Sequence, residues 1–163
     1  MLAASCSSTK SAKTYTTPCS DCLRVEDAVR VWASGTSNNE TTARKKAMMS
    51  ASAELAAVLE KNVETVAEEY TAALNDGTEG ISKSFLNEQC KITVKKTISG
   101  ANVICDKWVK NENGQYTNYI VLELGYKFFI DAIIEEANSK SDSKLNRDLL
   151  LELVKKSSKE NTK

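Results

Sequence analysis

The fold is decided by GTSNNETTARKKAMMSASAELAAVLEKNVETVAEEYTAAL, residues 35–74. Ser, Asn and Asn at positions 37–39 can each cap a helix N-terminus, and Asn-Asp-Gly at 75–77 can end one. Apolar residues between these signals recur every three or four positions, as on one face of a helix: Ala47, Ala51, Leu55, Val58, Leu59, Val66, Tyr70 and Leu74. The pattern predicts one long helix over about 39–74.

The first half of this predicted helix is rich in small residues. Ala43, Ala47, Ala51 and Ala53 occupy positions where a packed helix usually carries larger side chains. Small side chains permit close approach to a sheet or to another helix. The arginine, lysine and glutamate residues lie mainly off the apolar stripe, as expected of a solvated face.

Strands are predicted on both sides of the long helix. VRVWAS alternates apolar and polar residues and predicts a strand over about 28–34. NVICDKWVKNENGQYTNYIVLEL predicts a β-hairpin over about 101–124, with Asn113-Gly114 as a type I′ turn pair. These elements predict the α+β class, with a small antiparallel sheet packed against the long helix.

The rest of the chain divides around this predicted domain. Residues 1–24 have the Ser, Thr and Lys composition of a tether, and residues 25–138 form the α+β domain. Residues 139–163 predict a C-terminal helical extension with a frayed end. Within the domain, residues 82–98 suit either a strand, by β-propensity, or a short helix. A helical stripe over about 126–137 follows the hairpin.

The N-terminal cysteine lies in a recognisable context. Ala3-Ala4-Ser5-Cys6 resembles a bacterial lipobox, and the polar residues after it resemble the tether that follows a lipidated cysteine. The basic and apolar parts of a signal peptide do not precede it, so we expect the start to be truncated. Cys6 is therefore predicted to be lipidated. The alternative is an ordinary N-terminus with a stray cysteine.

The remaining cysteines favour a disulfide over a metal site. Cys19-Ser20-Asp21-Cys22 is a C-x-x-C in a linker, whereas a redox motif needs a strand-to-helix setting. A zinc site would need Cys90 and Cys105 or carboxylates, because the chain has no histidine. A structural disulfide suits an exported protein, and we expect Cys22, or Cys19, to pair with Cys105. Sequence does not establish which one.

Composition removes several classes of function. Lys plus Arg and Asp plus Glu both total 22, and this balance argues against a nucleic-acid-binding surface. The absence of histidine removes the commonest general base. No nucleophile elbow, P-loop or dinucleotide fingerprint occurs. No apolar run approaches about 18 residues, the length of a membrane span. The sequence therefore predicts no catalytic residues, no cofactor and no metal.

Three stretches resemble the LPP-twenty family of bacterial lipoproteins. They are the lipobox-like Cys6, the Ala43–Ala47 and Ala53–Ala56 segments ARKKA and AELA, and the hairpin introduced by Gly100. The second strand of that hairpin carries Tyr119 followed by Ile120, Leu122 and Leu124. The resemblance spans about 25–125. It implies a helix layer on an antiparallel sheet and a helix over 82–97, and it brings no catalytic residues with it.

The expected function follows from the anchor and from the resemblance. We expect a non-catalytic, lipid-anchored cell-envelope protein, attached to the outer membrane through acylated Cys6 and facing the periplasm or the surface. Its partners would be membrane lipid and an envelope protein of unknown identity. The alternative is a soluble exported domain that binds a small molecule on a surface formed by Trp32 and Trp108.

Overall fold

A computed structural model describes residues 17–23, 25–74, 81–141 and 144–160. The elements in chain order are β1 (Ala28–Ser37), α1 (Glu40–Ala73), α2 (Lys83–Thr97), β2 (Asn102–Lys110), β3 (Tyr116–Gly125), α3 (Tyr126–Asn138) and α4 (Arg147–Glu160). Short 3₁₀ turns occupy Ser20–Cys22 and Ile98–Gly100. The predicted α+β class, with a long helix on a small antiparallel sheet, is confirmed.

The three strands form one antiparallel sheet in the order β1-β3-β2. Strand β1 pairs with β3 along its whole length, from Ala28 opposite Gly125 to Ser37 opposite Tyr116. It is therefore longer than the predicted strand, because Gly35, Thr36 and Ser37 continue the ladder. Strand β2 pairs with the other edge of β3 and contains a bulge between Val103 and Cys105.

The hairpin turn differs from the predicted type I′ turn. The Asn111 carbonyl accepts from Gly114 N at 2.9 Å, and Asn111 N donates to the Gln115 carbonyl at 2.8 Å. Gly114 has φ 81°, whereas Asn113 does not have the positive φ that a type I′ turn requires. The connection is a three-residue loop closed by that Asn111–Gln115 bond, with glycine in the left-handed position. The Asn-Gly pair marked the correct place but the wrong turn type.

Helix α1 lies very close to the sheet. Ala43, Ala47 and Ala51 are completely buried. A Cβ atom placed on Gly35 would lie 2.4 Å from both the Ala43 carbonyl oxygen and the Ala47 nitrogen. The alanine-rich half of α1 and the glycine in β1 are thus two sides of one close contact. Asn39 begins the helix, since its side chain accepts from Thr42 N at 3.1 Å.

Residues 83–97 are helical, so the helix implied by the family resemblance for this segment is confirmed. Ser82 caps α2 by accepting from Phe85 N at 3.1 Å. Leu86, Cys90 and Val94, four residues apart, are buried in the core. This spacing of four, rather than the alternation of a strand, decides the conformation.

The last helix belongs to the core of the domain. Leu150 and Val154 of α4 are buried in the same cluster as the helix–sheet residues. The Tyr70 hydroxyl of α1 accepts from Asn146 N, just before α4, at 2.8 Å. The segment predicted as an extension is therefore integral to the fold. Among the residues that the structure describes, no helix combines the length and apolar character needed to cross a bilayer.

Candidate functional site

The two tryptophans lie on opposite faces of the sheet. Trp32 is opposite Val121 of β3, whereas Trp108 is opposite Asn118 of β3. Positions 118 and 121 are three residues apart along one strand, and side chains alternate between faces. The Trp32/Trp108 pair therefore cannot form one ligand-stacking surface, which removes the geometric basis of the small-molecule alternative.

The two faces are covered by different parts of the chain. The inner face packs against α1, where the Asp106 carboxylate of β2 accepts from Arg44 Nε at 2.9 Å. Trp108 lies on this side at the exposed edge of the sheet. The outer face carries Trp32, whose ring centroid lies 6.0 Å from that of Tyr119.

A short segment, residues 17–23, crosses the outer face, and we call it the strap. Cys19 of the strap forms a disulfide with Cys105 of β2, 86 residues away. The predicted Cys22–Cys105 pairing is wrong, and the Cys19 alternative is confirmed: Cys22 is a free, half-buried thiol. The 3₁₀ turn over Ser20–Cys22 separates the two cysteines, and only Cys19 is directed into the sheet, where it is 1% exposed.

Hydrogen bonds hold the strap on both sides of the disulfide. Trp32 Nε1 donates to the Pro18 carbonyl at 3.1 Å. Arg30 donates from one guanidinium nitrogen to the Cys22 carbonyl at 2.7 Å and pairs with Glu123 at 2.6 Å. Cys19 itself has φ 68°, a left-handed conformation that non-glycine residues rarely adopt. The polar face of β1 is therefore an attachment surface for the strap.

The cysteines that the structure describes do not come together as metal ligands. Cys90 lies on α2, 2% exposed, and burial raises the pKa of its thiol to about 12. Cys105 is used in the disulfide. Within the described ranges no three His, Cys, Asp or Glu side chains are grouped to hold a metal ion. The predicted lipidation residue, Cys6, lies outside the described residues.

A cleft of about 780 Å³ opens beside the strap, where the strap leads into β1. Leu23 and Val25 line it from the segment before β1, and Val29 lines it from β1 itself. Helices α1 and α4 supply further lining residues. The α1 and α4 residues are Val58, Lys61 and Asn62, and Lys155, Ser158 and Lys159. This volume is within the range of about 300–1,000 Å³ typical of small-molecule sites.

Tyr126, the first residue of α3, lies at the base of the cleft. Its hydroxyl donates to Ser158 of α4, and burial raises its pKa above the usual value. Beside the cleft, Lys155 pairs with Asp27 at 2.5 Å. The hydrogen bond and charge of Lys155 hold the pKa of the Asp27 carboxyl below its usual value. These contacts link the start of β1 and the start of α3 to α4.

The charged side chains that line the cleft are mostly positive. Lys61 and Lys159 are exposed and form no ion pair with any described residue. Glu26 is the one carboxylate among the described lining residues, so no pair of carboxylates is available for acid–base chemistry. The uncharged part of the described lining combines aliphatic side chains with polar ones, among them Ser20, Asn62 and Ser158. The arrangement can hold a ligand that carries both apolar and negatively charged parts.

Sequence reasoning did not find this cleft. Its lysines resemble any solvated helix face, and Leu23 resembles part of a tether. The signal that was present is the pair of exposed aliphatic residues, Leu23 and Val25, just before β1 in an otherwise polar segment. Comparisons with family models, curated proteins and solved structures gave no match to the chain.

Proposed function

We propose that this chain is an exported bacterial envelope protein of the LPP-twenty type, held on the outer membrane by an acyl anchor at Cys6. The folded domain then acts by binding or assembly rather than by catalysis. The observation that carries the proposal is the Cys19–Cys105 disulfide. Disulfides persist in exported proteins and are rare in the reducing cytosol.

The position of the disulfide fits an anchored domain. It lies within the N-terminal residues 1–24 that have the composition of a tether, and it fixes this segment to the edge strand β2. A force applied through a lipid at Cys6 would reach β2 through a covalent bond before it reached the helical core. Acylation buries methylene groups worth about 0.8 kcal/mol each, and stable anchoring takes more than one chain or a second signal.

The test is metabolic labelling with an alkyne analogue of palmitate, with the protein produced from its chromosomal locus. We expect label in the wild type and its loss in Cys6→Ser. The matched control is Cys22→Ser, which removes a free thiol from the N-terminal region and should keep the label. Wild-type protein without label, or equal label in Cys6→Ser, would exclude the anchor.

The oxidised state gives a second, independent readout. Protein trapped in acid and alkylated before any reduction should carry no adduct on Cys19 or Cys105, while Cys22 should be modified. Recovery of Cys105 as an alkylated free thiol from intact cells would contradict export to an oxidising compartment, whatever the labelling result.

A further inference from the structure

The cleft beside the strap combines exposed aliphatic side chains with lysines that have no ion-pair partner among the described residues. These two features seldom occur together on a solvated surface. Leu23 is 37% exposed and Val25 is 40% exposed, and both line the cleft. Val58 of α1 lines it too and is half-buried. Exposed aliphatic side chains that converge on one concavity mark a binding site more often than a random surface.

Of the four cationic side chains in the described lining of the cleft, two are paired with a carboxylate and two are not. Arg30 is neutralised by Glu123, and Lys155 by Asp27. Lys61 and Lys159 have no such partner among the described residues, and Glu26 is the one acidic residue of the described lining. Lysine side chains can lay their aliphatic stems along apolar walls while the ammonium group stays at the rim. The described lining therefore keeps a net positive charge beside its aliphatic side chains.

We propose that this cleft binds a single-chain anionic amphiphile, a long-chain fatty carboxylate, with its chain against Leu23, Val25 and Val58 and its carboxylate between Lys61 and Lys159. A carboxylate satisfies two ammonium groups without introducing a large polar headgroup. The proposal rests on the described residues of the cleft and does not depend on acylation of Cys6. The inference thus goes beyond the anchor and can fail or succeed separately from it.

An uncharged or cationic amphiphile fits less well. Either one would leave both ammonium groups at the rim without an opposite charge, and a cationic head would add repulsion at close range. A short carboxylate would meet the lysines but leave the aliphatic walls exposed to water. A matching ligand therefore needs a long chain to cover the aliphatic side chains and a negatively charged head to pair with the lysines.

The test uses the full 163-residue chain. Myristate, below its micelle concentration, is titrated into the protein by calorimetry. Amide and methyl NMR shifts then locate the bound ligand. We expect saturable one-site binding, with the largest shifts at Val58 and Tyr126. Octanoate and the tetradecyltrimethylammonium cation should each bind at least about tenfold more weakly, a difference of about 1.4 kcal/mol or more.

The decisive variant is Lys61→Glu/Lys159→Glu, matched with Lys45→Glu/Lys91→Glu. Lys45 and Lys91 are also exposed, do not line the cleft and give the same change in net charge. We expect myristate affinity to fall about tenfold or more in the first variant and to stay within about twofold of wild type in the second. Unchanged thermal unfolding of both variants checks the fold.

Three results would overturn the proposal. They are the absence of saturable myristate binding, an equal loss of affinity in both double variants, and equal affinity for the cationic amphiphile. None of them bears on palmitate labelling of Cys6, so failure here is distinguishable from failure of the proposed anchor.

Discussion

The two faces of the sheet are covered in opposite ways. The inner face meets α1 through completely buried alanines and a glycine so close that no Cβ fits between the backbones. The outer face is crossed by the strap, which is held by one disulfide and a few hydrogen bonds. A helix can cover a sheet through many similar packing contacts along its length. A short irregular segment instead needs a few strong individual bonds. We expect the inner contact to be sensitive to added side-chain volume. We expect the outer contact to be sensitive to loss of the disulfide.

The largest effect should come from removing the disulfide. Cys19→Ala/Cys105→Ala opens a link between residues 86 apart, and in the chain-entropy account a loop of this size contributes about 4.6 kcal/mol. Urea unfolding at pH 7 without reductant measures the change in the free energy of unfolding. Native-state hydrogen exchange should rise around Trp32 and Val121, under the strap, more than along α1.

Cys22→Ala is the matched control, because Cys22 is in the same segment but outside the bond. It should change the free energy of unfolding by no more than about 0.5 kcal/mol. If the double variant were as stable as wild type, the hydrogen bonds of Pro18 and Cys22 would suffice to hold the strap, and the contrast between the faces would disappear.

The next effect tests the inner face. Gly35→Ala places a methyl group 2.4 Å from two backbone atoms of α1, so the helix must move away from β1. We expect a loss of about 3 kcal/mol in the free energy of unfolding. Ala43→Gly should not rescue it, because the clash is with the Ala43 carbonyl oxygen and not with its side chain.

Gly125→Ala is the control for this substitution. No atom lies within 4 Å of a Cβ there, and Gly125 has φ −68°, which alanine adopts freely. It should change stability by no more than about 0.5 kcal/mol. A small effect of Gly35→Ala would mean that the helix tolerates displacement, so that the two faces would differ less than their packing indicates.

The inner face was predictable from sequence because the residues that form it recur at regular spacing. Apolar spacing gave α1 to within a residue or two, and the run of alanines indicated a close contact. The partner of that contact was not predicted, since the predicted strand stopped at residue 34, just before Gly35. In the structure it lies within β1 and pairs with Asn118.

The outer face and the cleft were less predictable because they depend on single residues far apart in the chain. Cys19 and Cys22 are equivalent in sequence, and only the turn between them decides which one reaches Cys105. The cleft brings Lys61, Tyr126 and Lys159 together from three helices. No periodicity connects such positions, so three-dimensional packing alone reveals them.

The smallest effect concerns the non-covalent attachment after the strap, where Asp27 pairs with Lys155 of α4. This pair lowers the pKa of Asp27 below the usual 3.8 in the folded state. Its contribution to stability is present above the unfolded-state value and is lost as pH falls through the lower folded value. The pair is exposed, so the effect on global stability should be small, and the carboxyl titration is the sensitive measurement.

The comparison for this titration is Lys155→Met, which keeps the length of the side chain and removes its charge. The carboxyl ¹³C midpoint of Asp27 should lie below the usual value in wild type and move up towards it in the variant, with Lys127 supplying a weaker residual effect. Equal midpoints would mean that Asp27 is not held by α4. The disulfide and the hydrogen bonds would then be the only strong attachments of the strap among the described contacts. The contrast between the two faces would be larger.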